Sequence, residues 1–499
     1  MLLSPYDQLK QRFARLGCLR DAQGILHWDR SVMMPAGGAD GRAEQLATLD
    51  VICHELITDP KVGELLDAAG SESLGDWERA NVREMRRDWI HATAVDTDLI
   101  EAKSRANSAC EMAWREARPK SDYAMVLPYL EQVLRLAIEA GTAKAARFGT
   151  TVYDALLDQF EPDARTADID PVFDDYAAFL PEFLDNVLVR QARDPVVVKP
   201  RGPFPIERQR ELGLRFMQIL GFDFHHGRLD VSLHPFTGGA SGDQRITTRY
   251  SEADFMSSLM GTIHETGHAL YEQHLPKAWR HQPVGSSRGM VVHESQSLLM
   301  EMQISRSREF LSFAAPIMRE TFGADPEDEA WQPESLFRLY TRVSRSLIRT
   351  EADEITYPAH VILRYRLERA LIAGDLALRD LPGAWNDGLK TLLGIAPPDD
   401  RLGCLQDIHW YDGAFGYFPT YTLGAMTAAQ LFDAARKDIP ALPAAIGRGE
   451  FKPLVDWLSE NVHGKASYLT SRELLTAATG RPLDPAIFKA HLKARYLPA

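Results

Sequence analysis

A mainly α-helical body with one small β-sheet is the fold class this chain predicts. Long stretches are rich in Ala, Leu, Glu, Lys and Arg, with apolar residues at i, i+3, i+4 spacing. Gly and Pro are spread thinly, with no Ser/Gly-rich linker, low-complexity tract or repeat. Only the region around residues 229–250 carries short β-branched or alternating runs.

Taken in order, the helical pattern recurs between about residues 40 and 160, as at 41–49 and 129–136, and again over 207–220. Residues 229–236 and 243–250 read as two strands of a small sheet, with Gly238-Gly239-Ala240-Ser241-Gly242 as the loop between them. Such a sheet serves either as an edge on which an extended peptide lies or as a plain structural hairpin. Ser251-Glu252-Ala253-Asp254 then reads as a capping box, and Phe255, Leu259, Ile263 and Leu270 recur at helical spacing. Further helical series occupy about 294–324, 334–375 and 470–495. With no clean break, the chain reads as one unit over 1–499: a mainly helical part over 1–228, the sheet and motif-bearing part over 229–430, and C-terminal helices over 431–499.

Composition excludes several classes. Hydrophobic residues at 45% and charged residues at 25% describe an ordinary globular protein. The first residues turn polar too soon for a signal peptide, and no apolar run approaches membrane-spanning length, so a cytoplasmic location with no membrane partner is expected. A net charge of −14 without a dense basic patch argues against nucleic acid. Cys18, Cys53, Cys110 and Cys404 are widely separated and read as buried thiols.

The chemistry concentrates in His264-Glu265-Thr266-Gly267-His268. On a helix, i and i+4 share a face, so both imidazoles can reach one metal ion. Glu265 lies about 100° round and can serve as a base on the metal's open side. A catalytic zinc takes three protein ligands and leaves one position for water. His274 would complete a pattern close to the metzincin one, but that pattern needs Gly where Tyr271 stands. Glu294 is the better third ligand: it opens a second helical stretch 26 positions beyond His268, leaving room for an antiparallel return. Glu301 on the same stretch is a weaker rival.

Around this core the chain resembles the carboxypeptidase Taq family of zinc metallocarboxypeptidases over essentially its whole length. The resemblance rests on His234-Pro235-Phe236, Asp243-Gln244-Arg245-Ile246-Thr247, the run His264 to His268, His293-Glu294-Ser295-Gln296, Ile348-Arg349-Thr350-Glu351-Ala352-Asp353, and Gly403-Cys404-Leu405-Gln406-Asp407-Ile408-His409-Trp410. It implies a neurolysin-like, two-lobed helical body with the metal on the floor of a deep groove, a homodimer, and removal of single C-terminal residues from peptides with broad tolerance. Zinc is the implied metal, with cobalt or manganese as alternatives for a two-His, one-Glu set.

Within that frame Glu265 is the general base. His409 and Tyr421 are candidate donors to the tetrahedral oxyanion, with Tyr417 the nearest confusion. Arg349 is the candidate for the substrate's terminal carboxylate, although Arg349 and Asp353 stand at i, i+4 and would suit an ordinary helix ion pair. His234, Asp243 and Arg245 read as residues that keep the fold. Two rivals remain: an oligopeptidase or dipeptidyl carboxypeptidase of similar shape, and a non-enzymatic helical scaffold with a structural metal.

Overall fold

Ser4 opens the first helix, Pro5–Val32, by accepting the backbone N–H of Asp7, with Pro5 at the first helical position. Leu9, Phe13 and Leu16 of that helix pack with Ile57, Val62, Leu66 and Met85 from the next three helices, Ala39–Thr58, Pro60–Ala69 and Asp76–Thr93. The computed structural model describes residues 3–498. Among them are twenty α-helices and one three-stranded sheet. A much larger core runs from Cys110 to Tyr496 and joins the long helices Thr97–Lys120, Tyr123–Phe148 and Thr166–Gln191 to the remaining ones. No helix among the described residues is long and apolar enough to cross a membrane.

The sheet has three strands rather than the expected two: β1 (Gly227–Val231), β2 (Phe236–Ala240) and β3 (Asp243–Thr248), in the order β1-β3-β2. β1 runs parallel to β3 and β2 antiparallel, pairing Leu229 with Ile246 and Thr237 with Ile246. The glycine run expected to form a loop is therefore mostly strand. The first helix approaches this strand closely, where a Cβ on Gly24 would lie 2.1 Å from the Gly239 carbonyl oxygen, and Gly239 itself has a positive φ with no room for a Cβ beside the Asp243 carbonyl of β3.

Three other expectations need correction. The capping residue of the helix Phe255–Gln273 is Asp254, which accepts from the N–H groups of Met256 and Ser257; Ser251 serves only Ala253. The series expected over 334–375 is two helices, Pro333–Tyr340 and Tyr357–Ala373, with irregular chain between them. Asp353 explains the break. Its carboxylate accepts the N–H groups of Ser344, Ile355 and Thr356, an arrangement that competes with a continuous helix. Cys18, finally, is exposed, while Cys53, Cys110 and Cys404 are buried as expected.

Candidate metal centre and its surroundings

The helix Phe255–Gln273 lies against the helix Ile206–Leu220, strand β3 and the helix Met290–Leu298. Gly267 sets the last contact: a Cβ there would stand 2.5 Å from the Gln296 carbonyl oxygen and 2.6 Å from Ser297 Cα. Only glycine lets the two backbones cross so closely. Gly424, in the helix Pro419–Asp438, does the same beside Glu294, where a Cβ would meet the Glu294 Cβ at 2.9 Å. These crossings carry Glu294 to the two histidines.

Ligand atoms of His264, His268 and Glu294 all fall within 4.8 Å of one another. His264 Nε2 stands 3.9 Å from Glu294 Oε1, and His268 Nε2 stands 3.5 Å from Glu294 Oε2. Ligands about 2.1 Å from a tetrahedral cation lie roughly 3.4 Å apart, so the spacing fits a metal between them better than direct hydrogen bonds. The helical segment starts at Met290, placing Glu294 in its second turn, and the side chain is buried rather than solvated.

The back of His264 is also set. Its Nδ1 meets Glu301 Oε2 at 2.9 Å, and Arg306 donates to Glu301 Oε1 at 2.6 Å. An Nδ1–H held by a carboxylate leaves the Nε2 lone pair facing Glu294. Glu301 is therefore not a rival ligand but the group that orients one. It reaches His264 because the helix passes into a π-helical turn over Leu299–Ile304, which shifts the side-chain register. His268 stacks on His293, with ring centroids 4.5 Å apart, and His293 Nε2 meets Glu272 at 3.0 Å.

Electrostatically the cluster calls for positive charge. Burial favours neutral His264, yet the Glu301 hydrogen bond and the fields of Glu294 and Glu265 prevail and raise its pKa to about 10. Burial, reinforced by His293 and His264, pushes His268 well below the ordinary histidine value. Burial raises Glu265 and Glu294 against the pull of His264. Three acidic side chains, Glu265, Glu294 and Glu301, thus crowd the two imidazoles, a setting that suits a divalent cation. Glu265 itself accepts the Thr237 hydroxyl at 2.7 Å, which ties the proposed base to strand β2.

His409, Tyr421 and Arg349 form a second group. The His409 ring lies 4.5 Å from Phe418 and 6.4 Å from Tyr421, and the Arg349 guanidinium lies 5.0 Å from the Tyr421 ring. Burial, aided by Arg349 and Arg364, outweighs Asp407 and holds His409 down to about 4. Burial raises Tyr417, and raises Tyr421 well above the usual phenol value, with Glu294 contributing in both cases. Both phenols therefore keep their protons and remain donors.

Arg349 does not form the helix-surface pair that its i, i+4 spacing to Asp353 allowed. It lies in a 3₁₀ turn, Arg349–Glu351, and makes no pair with Asp353. Its Nε and Nη2 donate to Asp407, and its Nη1 donates to the Tyr357 hydroxyl at 2.8 Å. Asp407 is shared with Arg364, whose Nε donates at 2.7 Å. Arg364, Tyr357 and Thr237 carry no local sequence signal. Asp407 had only its place in the matching motif. Glu301, seven residues after Glu294, carried helical spacing as its one clue.

The remaining candidates play no part in the trio. His274 turns Nδ1 to the Leu270 carbonyl, His234 is exposed, and Arg245 pairs with Asp243 while covering the Trp28 ring at 4.5 Å. A cleft of about 1200 Å³ lies between the first helix, at Phe13, Arg20 and Asp21, and Thr237, His274 and His293. It borders the metal cluster but includes neither Arg349, His409 nor Tyr421.

Comparison with known proteins agrees with this geometry. Residues 8–496 match the family model described as carboxypeptidase Taq (M32) metallopeptidase. The thermostable carboxypeptidase 1 of Thermus thermophilus is 39% identical over 505 residues, covering 98% of each chain. Metallocarboxypeptidase 1 of Trypanosoma cruzi superposes with a TM-score of 0.97 at 41% identity, covering 99% of each chain. The M32 carboxypeptidase of Deinococcus radiodurans gives 0.92 at 37%, covering 99% of this chain and 98% of its own. At such identity and coverage the chain belongs to the carboxypeptidase Taq (M32) metallopeptidase family.

Proposed function

We propose that this protein is a metal-dependent carboxypeptidase that removes C-terminal residues from peptides with broad side-chain tolerance. His264, His268 and Glu294 hold one divalent cation, zinc by preference of the donor set, with cobalt or manganese as alternatives. The observation that carries this reading is the convergence of three ligand atoms beside the buried carboxylate of Glu265. When bound, the cation polarises the scissile carbonyl and acidifies the attacking water.

The side chains supply the rest. Glu265, its carboxyl raised by burial and steadied by Thr237, takes a proton from the water and passes it to the leaving amine nitrogen. His409, neutral above about pH 4, and Tyr421 donate hydrogen bonds to the oxyanion that develops. Arg349 receives the substrate's terminal carboxylate. Two guanidiniums against the single Asp407 carboxylate leave a net positive charge there for a second anion, and Tyr357 and Asp407 fix the guanidinium plane. A homodimer, resting on the family resemblance, belongs to the same proposal, as do a cytoplasmic location and the reading of the chain as one catalytic unit.

The rival within the fold is an oligopeptidase or dipeptidyl carboxypeptidase. Mass spectrometry of one peptide with a free or an amidated C-terminus, with and without a chelator, separates them. Single-residue losses from the free peptide alone, abolished by chelator, are expected. Cleavage indifferent to amidation would reject the exopeptidase reading.

A further inference from the structure

The helix Met290–Leu298 does not end as an ordinary helix does. It runs into the π-helical turn Leu299–Ile304 that brings Glu301 to His264, and a new helix starts only at Arg308. Such a turn leaves carbonyl groups at its end without helical partners. Two of them are answered from the far end of the chain. Arg495, in the last helix, Pro485–Tyr496, donates through Nη1 to the Met302 carbonyl at 2.6 Å and through Nη2 to the Gln303 carbonyl at 3.1 Å.

The fork that does this is itself held. Arg495 Nη1 also meets Glu354 Oε2 at 2.9 Å, the Tyr496 hydroxyl donates to the same oxygen at 3.0 Å, and His491 Nε2 lies 2.8 Å from Glu354 Oε1. Gln303, inside the π-turn, donates to Glu354 Oε1 at 3.3 Å. Glu354 is fully enclosed and the Arg495 side chain nearly so. Two carbonyls of one turn and one carboxylate are thus gripped by a single planar guanidinium, a geometry that lysine's point charge does not reproduce.

We infer that Arg495 is a positioning residue for the metal centre: by clamping the carbonyls of Met302 and Gln303 it fixes the π-turn, and with it the Glu301 carboxylate that orients His264. The chain runs from the last helix through Arg495, the π-turn and Glu301 to an imidazole that faces Glu294, every link being a hydrogen bond or a covalent turn. The inference rests on the metal-centre reading above and deepens it. The C-terminal helix contributes to metal binding, although none of its own side chains reaches the cluster.

The test measures zinc affinity of the full-length protein by competition with a colorimetric chelator, on wild type and four variants. Arg495→Ala is expected to weaken zinc binding at least about tenfold, the scale found when the partner of a ligating histidine is disturbed. Arg495→Lys, which keeps the charge beside Glu354 but not the fork, falls between them and carries the test should the alanine variant fold poorly. Leu9→Ala, a cavity in the separate core of the first four helices, lowers thermal stability and leaves zinc affinity unchanged. His264→Ala loses the site.

Wild-type affinity in both Arg495 variants would overturn the inference. So would equal weakening in Leu9→Ala, since that would reduce Arg495 to general stability. If His264→Ala binds zinc as wild type does, the metal-centre reading falls instead, and this inference falls with it.

Discussion

The metal cluster and the arginine node lie close to each other, yet they are built in opposite ways. His264, His268 and Glu294 stand on regular helices, and two of the three are joined by the i, i+4 rule alone. Arg349 and Asp407 stand on irregular chain, paired across 58 positions, and Arg364 completes the node from a third segment. The first arrangement stakes its energy on a cation. The second sets two buried guanidiniums about one carboxylate, Asp407 being held far below the usual carboxylate range against burial by Arg364 and Arg349. Loss of a cluster side chain is thus expected to end chemistry with the fold intact, and loss of Asp407 to unsettle the fold.

That contrast can be broken from either side. The largest effect is expected from Glu265→Gln: turnover should fall by roughly 10³-fold or more while metal content and melting temperature hold, measured by steady-state kinetics and elemental analysis. Next comes Asp407→Asn, which leaves two buried guanidiniums, 7% and 0% exposed, without their counter-ion. Urea unfolding should show a loss of about 3–5 kcal/mol with metal affinity unchanged; a stable variant with weak metal binding would collapse the distinction.

Glu301→Gln should weaken metal affinity roughly 10–100-fold with turnover at saturating metal little altered, as chelator competition would reveal. Urea stability should fall as well, because Arg306 loses the carboxylate it pairs with.

The smallest effect is a pH dependence. His409 titrates near 4 in the fold and near 6.5 when unfolded, so the unfolded chain takes up the proton first as pH falls. Stability from this residue is present above about pH 6.5 and is lost progressively toward pH 4, on the order of 3 kcal/mol in all. In His409→Ala, urea midpoints should decline less steeply across that window; an unchanged slope would show that other groups dominate.

The same contrast explains what could be read from the sequence. Helical periodicity anticipated most helices, the histidine pair, and the proposed base and third ligand, because each depends on spacing along one face. It misread 334–375, where Asp353 takes backbone N–H groups out of the helix, and so left open a helix-surface pair between Arg349 and Asp353 that does not form. It also read the Gly238 to Gly242 run as loop, since nothing local shows that Gly24 of the first helix presses on Gly239. The Gly267 crossing, the π-turn behind Glu301 and the Thr237 hydroxyl on Glu265 were invisible for the same reason. Each is a relation between distant segments. The family motifs supplied Arg349 and His409 as candidates, and the aromatic, glycine-rich run after His409 supplied Tyr421, without supplying their partners.

The central claim is that one cation at His264, His268 and Glu294 makes this fold a peptidase. Calorimetric titration of cation-free protein with zinc, paired with peptide cleavage on the same samples, tests it most directly in wild type and Glu294→Ala. Wild type should bind about one equivalent and recover cleavage, while the variant should bind at least roughly 100-fold more weakly and stay inactive at matched zinc. Cleavage by the cation-free wild type, or unaltered zinc affinity in Glu294→Ala, would contradict it.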